Sequence, residues 1–238
     1  MSNLEKTIVA LDNMDQARIH SFLEQLDGRI PTIKVGLELF LKYGTDYLDQ
    51  LQKIYPCKIF LDLKLHDIPN TVYRAILSLK GAPIHLLTVH TQGGEAMLRA
   101  AMKATKEALP ETKILGVSYL TSLGHLDLNT LYGIEPNKTE SAFQKLFTIA
   151  LETKIDGIVL SAHELKLINS LEAKSDHSLL KVCPGIRFPD EIQRAVTHDQ
   201  QRVLSPTEAV ENGADLMVIG RSLTACSNLE ARLDELTR

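Results

Sequence analysis

The sequence predicts an α/β fold of the single-domain (β/α)₈ (TIM) barrel class, and three observations support this fold class. The chain has 238 residues, a usual length for one such barrel. Eight short apolar runs alternate with segments of helical periodicity. No long polar linker, short repeat or low-complexity segment interrupts the alternation, so residues 1–238 are expected to form one domain. A doubly wound open sheet is the alternative, but the count of eight strands and the chain length favour the barrel.

The predicted strands are short runs rich in β-branched and aliphatic residues. In chain order they span residues 7–11, 32–36, the stretch that ends at 65, 84–90, 113–118, 155–160, 179–183 and 215–220. Helical periodicity predicts helices at 15–26, at about 38–54 with a break near Gly44, from the third strand to about 80, at 93–109 and at about 222–236. Helical segments thus separate the strands, as crossovers between parallel strands require.

Two connections are longer than the 2–6 residues usual after a strand of this fold. They run from 119 to about 137 after the fifth strand, and from 187 to about 204 after the seventh. Both leave the carboxyl ends of the strands, where barrel active sites are built. Insertions without a function are the alternative, but we expect the two connections to act as lids over the active site.

Composition excludes several classes of function. The formal net charge is −4, the isoelectric point is near 6.1 and no basic tract occurs, which argues against nucleic acid as the main partner. The three cysteines, Cys57, Cys183 and Cys226, show no CxxC spacing and are expected to be reduced packing residues. No export signal and no apolar run of about 20 residues is visible, so we expect a soluble cytoplasmic protein without membrane contact.

The third predicted strand carries charges within an apolar frame. Strand alternation assigns Ile59 and Leu61 to one face, and Phe60, Asp62 and Lys64 to the other. Charges on a central strand are costly unless they are paired. The alternative without a functional role is a solvated edge strand with an incidental ion pair. Asp67 adds a second carboxylate just past the strand. The resulting acid–lysine–acid arrangement is appropriate for a substrate that loses negative charge or gains a proton during the reaction.

Charged residues also end the neighbouring strands. Asp12 ends the first strand and Lys34 lies near the end of the second, next to Asp62 and Lys64 on the third. We expect an alternating Asp–Lys–Asp–Lys cluster that neutralises itself and keeps the lysines charged. The acids alone could bind Mg²⁺, but the two lysines already supply positive charge, so no metal is predicted. The histidines form no ligand set and no nucleotide-cofactor fingerprint occurs.

The seventh and eighth strands end in a different pattern. Pro184-Gly185-Ile186-Arg187 follows the seventh strand, and Gly220-Arg221-Ser222 follows the eighth. Glycine allows a backbone to approach a ligand closely, and arginine binds phosphate through two hydrogen bonds. Ordinary turn chemistry is the alternative. Because loops seven and eight are the usual phosphate site of this fold, a phosphate site is predicted here.

These residues together resemble the orotidine 5′-phosphate decarboxylase family. The stretch 62–71, DLKLHDIPNT, matches its signature D-x-K-x-x-D-I-x-x-T. Further blocks match in order at 9–12, 34–36, 120–122, 184–187 and 219–222, so the resemblance covers nearly the whole chain. It implies a cofactor-free homodimeric barrel with two sites at the dimer interface. The implied reaction converts orotidine 5′-phosphate to UMP and CO₂ in de novo pyrimidine biosynthesis.

The resemblance implies roles for the charged cluster. Asp12 and Lys34 are expected to contact the ribose hydroxyls. Asp62 is expected beside the substrate carboxylate, and Lys64 is the expected proton donor to C6. Asp62, Lys64, Lys34 and Asp67 are therefore the candidate catalytic residues.

The same resemblance implies roles outside that cluster. Asp67 and Thr71 are expected to reach into the active site of the neighbouring subunit. Thr121 is expected to bind the pyrimidine, and Gln200 to bridge base and phosphate, with Gln201 as the alternative. The phosphate end is assigned to the two glycine-containing turns, with the candidates Pro184, Arg187, Gly220 and Arg221.

Other functions predict different residues. The related barrel family of Mg²⁺-dependent sugar-phosphate decarboxylases and aldolases shares the D-x-K-x-x-D core, but has an acidic metal ligand where this chain has Lys34. A lysine at that position repels Mg²⁺. A non-catalytic phosphate-binding barrel needs no charged cluster opposite its phosphate site. An interaction protein needs neither the charged cluster nor the phosphate site.

Overall fold

The computed structural model describes residues 2–193 and 203–237. Within these ranges, eight parallel strands form a closed barrel in which each strand pairs with the next and the last pairs with the first. The predicted fold class is therefore confirmed. The strands are β1 (Thr7–Ala10), β2 (Thr32–Gly36), β3 (Lys58–Leu65), β4 (Leu86–His90), β5 (Lys113–Val117), β6 (Gly157–Val159), β7 (Leu180–Cys183) and β8 (Leu216–Ile219).

Helices surround the barrel and connect its strands. In the described residues they are α1 (Gln16–Leu26), α2 (Leu37–Tyr43), α3 (Asp46–Ile54), α4 (Pro69–Leu77), α5 (Gly94–Ala108), α6 (His125–Tyr132), α7 (Thr139–Thr153), α8 (Leu165–Glu172), α9 (Pro189–Gln193), α10 (Pro206–Glu211), α11 (Arg221–Thr224) and α12 (Leu229–Thr237). Among these residues, no helix is long and apolar enough to cross a membrane.

Local sequence signals explain several helix ends. The Asp15 side chain accepts a hydrogen bond from the backbone N–H of Arg18 and so caps α1. Gly44 ends α2 with a φ of 69°, which few other residues adopt easily, and this confirms the predicted break. Ser205 and Glu208 form a reciprocal capping box at the start of α10.

Two predicted segments differ from the structure. The predicted helix 222–236 is divided into α11 and α12, because the Asn228 side chain accepts a hydrogen bond from the backbone N–H of Ala231 and starts a new helix. The connection after β5 is not a simple loop, since it contains α6. In the connection after β7, the Arg187 N–H donates to the Leu204 carbonyl oxygen and closes the base of the loop. Residues 194–202 of that connection lie outside the described part of the chain.

The barrel interior is apolar at one end and charged at the other. Apolar side chains from all strands except β2 fill the interior, and they are Ile8, Ala10, Phe60, Leu86, Leu115, Val117, Val159, Val182 and Val218. Inward-facing positions recur every second residue along a strand. Asp12 and Asp62 come two residues after Ala10 and Phe60, so both carboxylates extend the inward-facing rows at the carboxyl end.

The three cysteines are unpaired, as predicted. Burial raises the pKa of both Cys57 and Cys183 to about 12, so these thiols remain protonated at neutral pH. They behave as apolar packing residues and not as nucleophiles.

Candidate active site

A cavity of about 580 Å³ opens at the carboxyl end of the barrel. Its apolar floor comes from the barrel interior, including Phe60, Val159 and Val218. The lining also brings together nine of the residues that the sequence predicted for the site: Asp12, Lys34, Asp62, Lys64, Thr121, Pro184, Arg187, Gly220 and Arg221. Asn13 also lines the cavity. Nothing in the sequence indicated this other than the position of Asn13 directly after Asp12.

Four charged residues form an alternating chain at one side of the cavity. The Lys34 Nζ lies 2.7 Å from Asp12 Oδ2 and 3.7 Å from Asp62 Oδ2. The Lys64 Nζ lies 2.7 Å from the same Asp62 oxygen. The order Asp12–Lys34–Asp62–Lys64 agrees with the expected cluster, and its two acids and two bases neutralise one another.

The two central groups of this chain of charges are buried. Only 9% of the Lys34 side chain and 12% of the Asp62 side chain are exposed. Burial alone raises the pKa of Asp62, but the charges of Lys64 and Lys34 and hydrogen bonds from Lys64 and Thr88 outweigh it, and the pKa lies below its ordinary value. Asp62 is therefore a carboxylate at neutral pH, held beside two ammonium groups.

The backbone around Lys64 departs from regular strand geometry. Between Leu61 and Leu65, β3 advances four residues while β4 advances two, from Leu87 to Val89, so the register shifts. Lys64 has a φ of 50°, in the left-handed region that non-glycine residues rarely adopt. Strand alternation predicted the meeting of Lys64 with Asp62 correctly, but the contact is made from a bulged backbone.

The hydroxyl of Thr88 contacts both residues of this bulge. It donates to Asp62 Oδ1 at 2.9 Å and accepts the Lys64 backbone N–H at 2.8 Å. Thr88 was not predicted to belong to the site, because a threonine within an apolar run is ordinary in a strand. The only available signal was its position on the strand next to the charged one.

Gly36 is a second residue that the sequence analysis did not include in the site. A Cβ atom at this position would lie 2.5 Å from Asp12 Oδ1 and 3.1 Å from Lys34 Nζ. The first distance is far below ordinary contact and the second is tight, so a side chain would shift the Asp12 carboxylate of the Asp12–Lys34 pair. The glycine therefore keeps open the space that the ion pair occupies.

The two arginines line the cavity beside glycine-containing turns. Gly185 has a φ of 79°, which favours glycine, and Arg187 is only 6% exposed. A Cβ atom at Gly220 would meet only the Ala10 Cβ atom, at 3.7 Å, so the bare backbone there serves the cavity and not internal packing. Because α11 is a single short helix of four residues, Arg221 supplies more positive potential than the helix dipole.

Two predicted residues are not brought into this cavity. Asp67 and Thr71 are exposed and do not line it, and the Asp67 carboxylate accepts the backbone N–H of Ile68 at 2.7 Å. Gln200, like its alternative Gln201, lies outside the described residues.

Two histidines lie near the charged cluster. The rings of His66 and His90 are 5.2 Å apart between centroids. Burial, with repulsion from His66 and Lys64, lowers the pKa of His90 to about 4, so His90 is neutral at neutral pH. Over residues 2–193 and 203–237, no group of three or more His, Cys, Asp or Glu residues is arranged to hold a metal ion.

Comparisons with known proteins identify the family of this chain. A model of the Orotidine 5′-phosphate decarboxylase / HUMPS family matches residues 5–236. A protein named orotidine 5′-phosphate decarboxylase from Carboxydothermus hydrogenoformans is 40% identical, over 94% of this chain and 91% of its own length. A protein of the same name from Legionella pneumophila is 38% identical over 98% of both chains.

A solved structure gives the same result. The crystal structure of orotidine 5′-phosphate decarboxylase from Lactobacillus acidophilus matches with a TM-score of 0.79 and 31% identity, covering 98% of this chain and 97% of that one. The family match, the relatives and this structure each span nearly the whole barrel, including the charged cluster and the arginine turns. The chain therefore belongs to the Orotidine 5′-phosphate decarboxylase / HUMPS family.

Proposed function

We propose that this protein decarboxylates orotidine 5′-phosphate to UMP and CO₂ in de novo pyrimidine biosynthesis, without a metal or cofactor. The observation that carries the proposal is one cavity that combines the Asp12–Lys34–Asp62–Lys64 chain with two arginines. The chain of four charged residues can bind ribose hydroxyls and act on a carboxylate, and the two arginines can bind a phosphate. The relatives that share this name at 36–40% identity support the same substrate.

Lys64 is the proposed proton donor. When the bond between C6 and the carboxylate carbon breaks, the electron pair remains on C6 in an orbital that the ring cannot delocalise. The Lys64 ammonium supplies a fixed positive charge for this pair and then transfers a proton from Nζ to C6, which completes UMP. The neutral amine regains its proton from solvent.

Asp62 is the proposed partner of Lys64 throughout the reaction. Its carboxylate accepts the Lys64 ammonium at 2.7 Å and stays ionised because its pKa is lowered by its surroundings. In this assignment Asp62 also lies against the departing carboxylate of the substrate, where like charges repel. Asp12 and Lys34 would bind the ribose hydroxyls from the exposed end of the same chain of charges.

Binding energy at the phosphate end supports the chemistry at C6. Arg187, Gly220 and Arg221 are the proposed phosphate contacts, Pro184 lines the same end, and Thr121 is proposed for the pyrimidine. Contacts with a non-reacting phosphate can stabilise a closed active site in which the reacting groups are correctly oriented.

The connections after β5 and β7 are the proposed lids. After β5, the Tyr119 ring lies 5.2 Å from the Tyr132 ring of α6 and 5.0 Å from the Phe143 ring of α7. These contacts anchor α6 to the residue that precedes the cavity-lining segment 120–122, whereas Leu126 on the same helix is 78% exposed. An exposed apolar side chain on an anchored helix suits a surface that is covered when the site closes.

The Mg²⁺-dependent sugar-phosphate enzymes are the alternative function. The family name covers more than one activity, so membership alone does not distinguish them. Lys34 argues against the alternative because its ammonium lies between Asp12 and Asp62, at 2.7 and 3.7 Å. A divalent cation at these two carboxylates would meet a buried positive charge.

We also propose a homodimer with active sites at the interface. Asp67 and Thr71 are exposed and do not line the cavity of their own chain, as expected of residues that serve a partner. Beside them, Ile68 is 67% exposed, and Leu37 and Leu41 at the same end of the neighbouring β2–α2 unit are 49% and 78% exposed. Exposed apolar side chains on these units suit a surface that a second copy covers. Three unpaired cysteines suit the reducing cytoplasm as its location.

One assay tests the proposed reaction. The purified protein is mixed with orotidine 5′-phosphate in excess EDTA, and pyrimidine absorbance is followed. Decarboxylation unaffected by EDTA is expected, whereas a Mg²⁺-dependent enzyme would be inactive and a binding protein would leave the substrate unchanged. In D₂O, the UMP formed should carry deuterium at C6.

The proton donor is tested by substitution. Lys64→Ala should fold, still bind UMP and lose about 10⁴-fold or more in kcat, because it removes both the charge and the acid. Lys154→Ala is the matched control, since Lys154 forms an exposed ion pair far from the cavity lining. Substantial activity in Lys64→Ala, or product without solvent hydrogen at C6, would refute the role of Lys64.

A further inference from the structure

Thr88 on β4 is hydrogen-bonded through its side chain to two residues of β3, Asp62 and Lys64. It lies on β4 and is fully buried, with 0% exposure. Its hydroxyl donates to Asp62 Oδ1 at 2.9 Å and accepts the backbone N–H of Lys64 at 2.8 Å. A hydroxyl has one donor and two acceptor sites, so Thr88 can make both hydrogen bonds at once.

Both hydrogen bonds occur where ordinary sheet pairing is interrupted. The register between β3 and β4 shifts between Leu61 and Leu65, so the Lys64 N–H is bonded to a side chain and not to a strand carbonyl. Lys64 also adopts a disfavoured left-handed φ of 50°. Such a conformation persists only when surrounding contacts stabilise it.

We propose that Thr88 is a positioning residue for the decarboxylation, acting through Asp62 and Lys64. This inference rests on the proposed function. Thr88 does not line the cavity, so it is not assigned a contact with substrate. Its hydroxyl fixes the Lys64 backbone on one side and the Asp62 carboxylate on the other, which sets the direction from which the Lys64 ammonium reaches C6.

Loss of this hydroxyl removes a hydrogen-bond partner from two polar groups, the buried Asp62 Oδ1 and the partly buried Lys64 N–H. Asp62 Oδ1 would lose its donor, whereas Oδ2 would keep Lys64 at 2.7 Å and Lys34 at 3.7 Å. The carboxylate is then free to rotate towards Lys34, and the Lys64 backbone is free to leave its left-handed conformation. Either movement displaces the ammonium from C6, and small displacements of reacting groups reduce kcat strongly.

The ground-state contacts with substrate should change much less. Asp12, Arg187 and Arg221 lie outside the hydrogen bonds of Thr88, so the ribose and phosphate ends of the cavity keep their geometry. A positioning role therefore predicts a lower kcat with a nearly constant KM.

The test compares variants with and without the hydroxyl. Thr88→Val retains the shape but removes the hydroxyl, Thr88→Ala is a second hydroxyl-free variant, and Thr88→Ser retains the hydroxyl. Thr105→Val is the matched control, because Thr105 is a buried threonine on α5 whose hydroxyl bonds only to the Ala101 carbonyl oxygen, remote from the cavity. For each variant, kcat and KM for orotidine 5′-phosphate, the melting temperature and a crystal structure are determined.

The expected kcat of Thr88→Val and Thr88→Ala is about 10- to 100-fold below wild type, or about 1.4–2.7 kcal/mol in activation free energy. KM should stay within about threefold, and Thr88→Ser and Thr105→Val should be within about threefold of wild-type kcat. In the Thr88→Val crystal structure, the Lys64 Nζ–Asp62 Oδ2 distance should exceed the present 2.7 Å.

Several outcomes would overturn the assignment. They are a wild-type kcat in Thr88→Val, an equal loss in Thr88→Ser, unfolding of both hydroxyl-free variants at 25 °C, and an unchanged Lys64–Asp62 contact in the crystal. If wild type decarboxylates the substrate, these outcomes refute the role of Thr88 alone. An inactive wild type would instead refute the proposed function, and the positioning role with it.

Discussion

Replacement of Lys34 by methionine tests whether the chain of charges stabilises the fold as well as the site. Lys34→Met keeps the length and the apolar stem of the side chain but removes the ammonium between Asp12 and Asp62. Removal of one partner from a buried ion pair usually costs about 3–5 kcal/mol.

The expected loss for Lys34→Met is smaller than that range. The Asp12 side chain is 39% exposed, so water screens its charge. Asp62 is buried but keeps Lys64 at 2.7 Å and the hydroxyl of Thr88 at 2.9 Å. We therefore expect the free energy of unfolding at pH 7 to fall by about 2 kcal/mol.

Urea unfolding at pH 7, followed by circular dichroism, measures this change. Lys154→Met is the matched control, because its ammonium also lies 2.7 Å from a carboxylate, that of Asp176, but the two side chains are 58% and 78% exposed. We expect no measurable change for the control, since exposed ion pairs contribute little. Equal effects of the two substitutions would show that burial of the Lys34 pair is not decisive.

The effect of Lys34→Met should also depend on pH. The pKa of Asp62 is below its ordinary value in the folded protein, so its ionisation stabilises the fold above about pH 4 and this contribution is lost as the pH falls through the folded pKa. Without Lys34 that pKa rises and the contribution shrinks. The difference between wild type and Lys34→Met should therefore narrow as the pH falls below about 4, towards the folded pKa of Asp62, and a difference independent of pH over that acid range would refute the electrostatic reasoning.

Three further predictions test other parts of the site. If Asp67 serves the partner subunit, mixing inactive Asp67→Ala and Lys64→Ala proteins should restore activity through heterodimers with one intact site; no recovery after verified subunit exchange would contradict the shared site. Arg221→Ala should lower kcat/KM by about 10- to 100-fold on orotidine 5′-phosphate but hardly on orotidine, and equal losses would show that Arg221 does not act on phosphate. Gly36→Ala should raise KM by about tenfold or more and change the unfolding free energy by less than about 1 kcal/mol, because its Cβ would lie 2.5 Å from Asp12 Oδ1; an unchanged KM would contradict this crowding.

The barrel could be predicted because its pattern is local. Strand Thr32–Gly36 was predicted with the bounds that the structure has, since its β-branched and apolar residues are all buried. The helix break at Gly44 was equally local, because only the conformational freedom of glycine was needed. In contrast, α6 and the division between α11 and α12 were missed, since a weakly amphipathic helix and a single capping asparagine at position 228 give little periodic signal.

The charged cluster was also determined by the sequence, through topology. Parallel strands of a closed barrel bring their carboxyl ends to one rim, so Asp12, Lys34, Asp62 and Lys64 had to lie close together once the strands were assigned. Side-chain alternation within β3 predicted that Asp62 and Lys64 share a face, although the structure makes their contact from a bulged backbone.

Only the tertiary structure revealed what holds this cluster in position. Thr88 reaches Asp62 across 26 residues of sequence, and its role depends on a register shift that no local pattern encodes. Gly36 matters because a side chain there would collide with the Asp12–Lys34 pair, which forms between two different strands. Periodicity and turn chemistry are properties of neighbouring residues, whereas a hydrogen bond to a bulged backbone and the space beside an ion pair exist only after the strands have closed into the barrel.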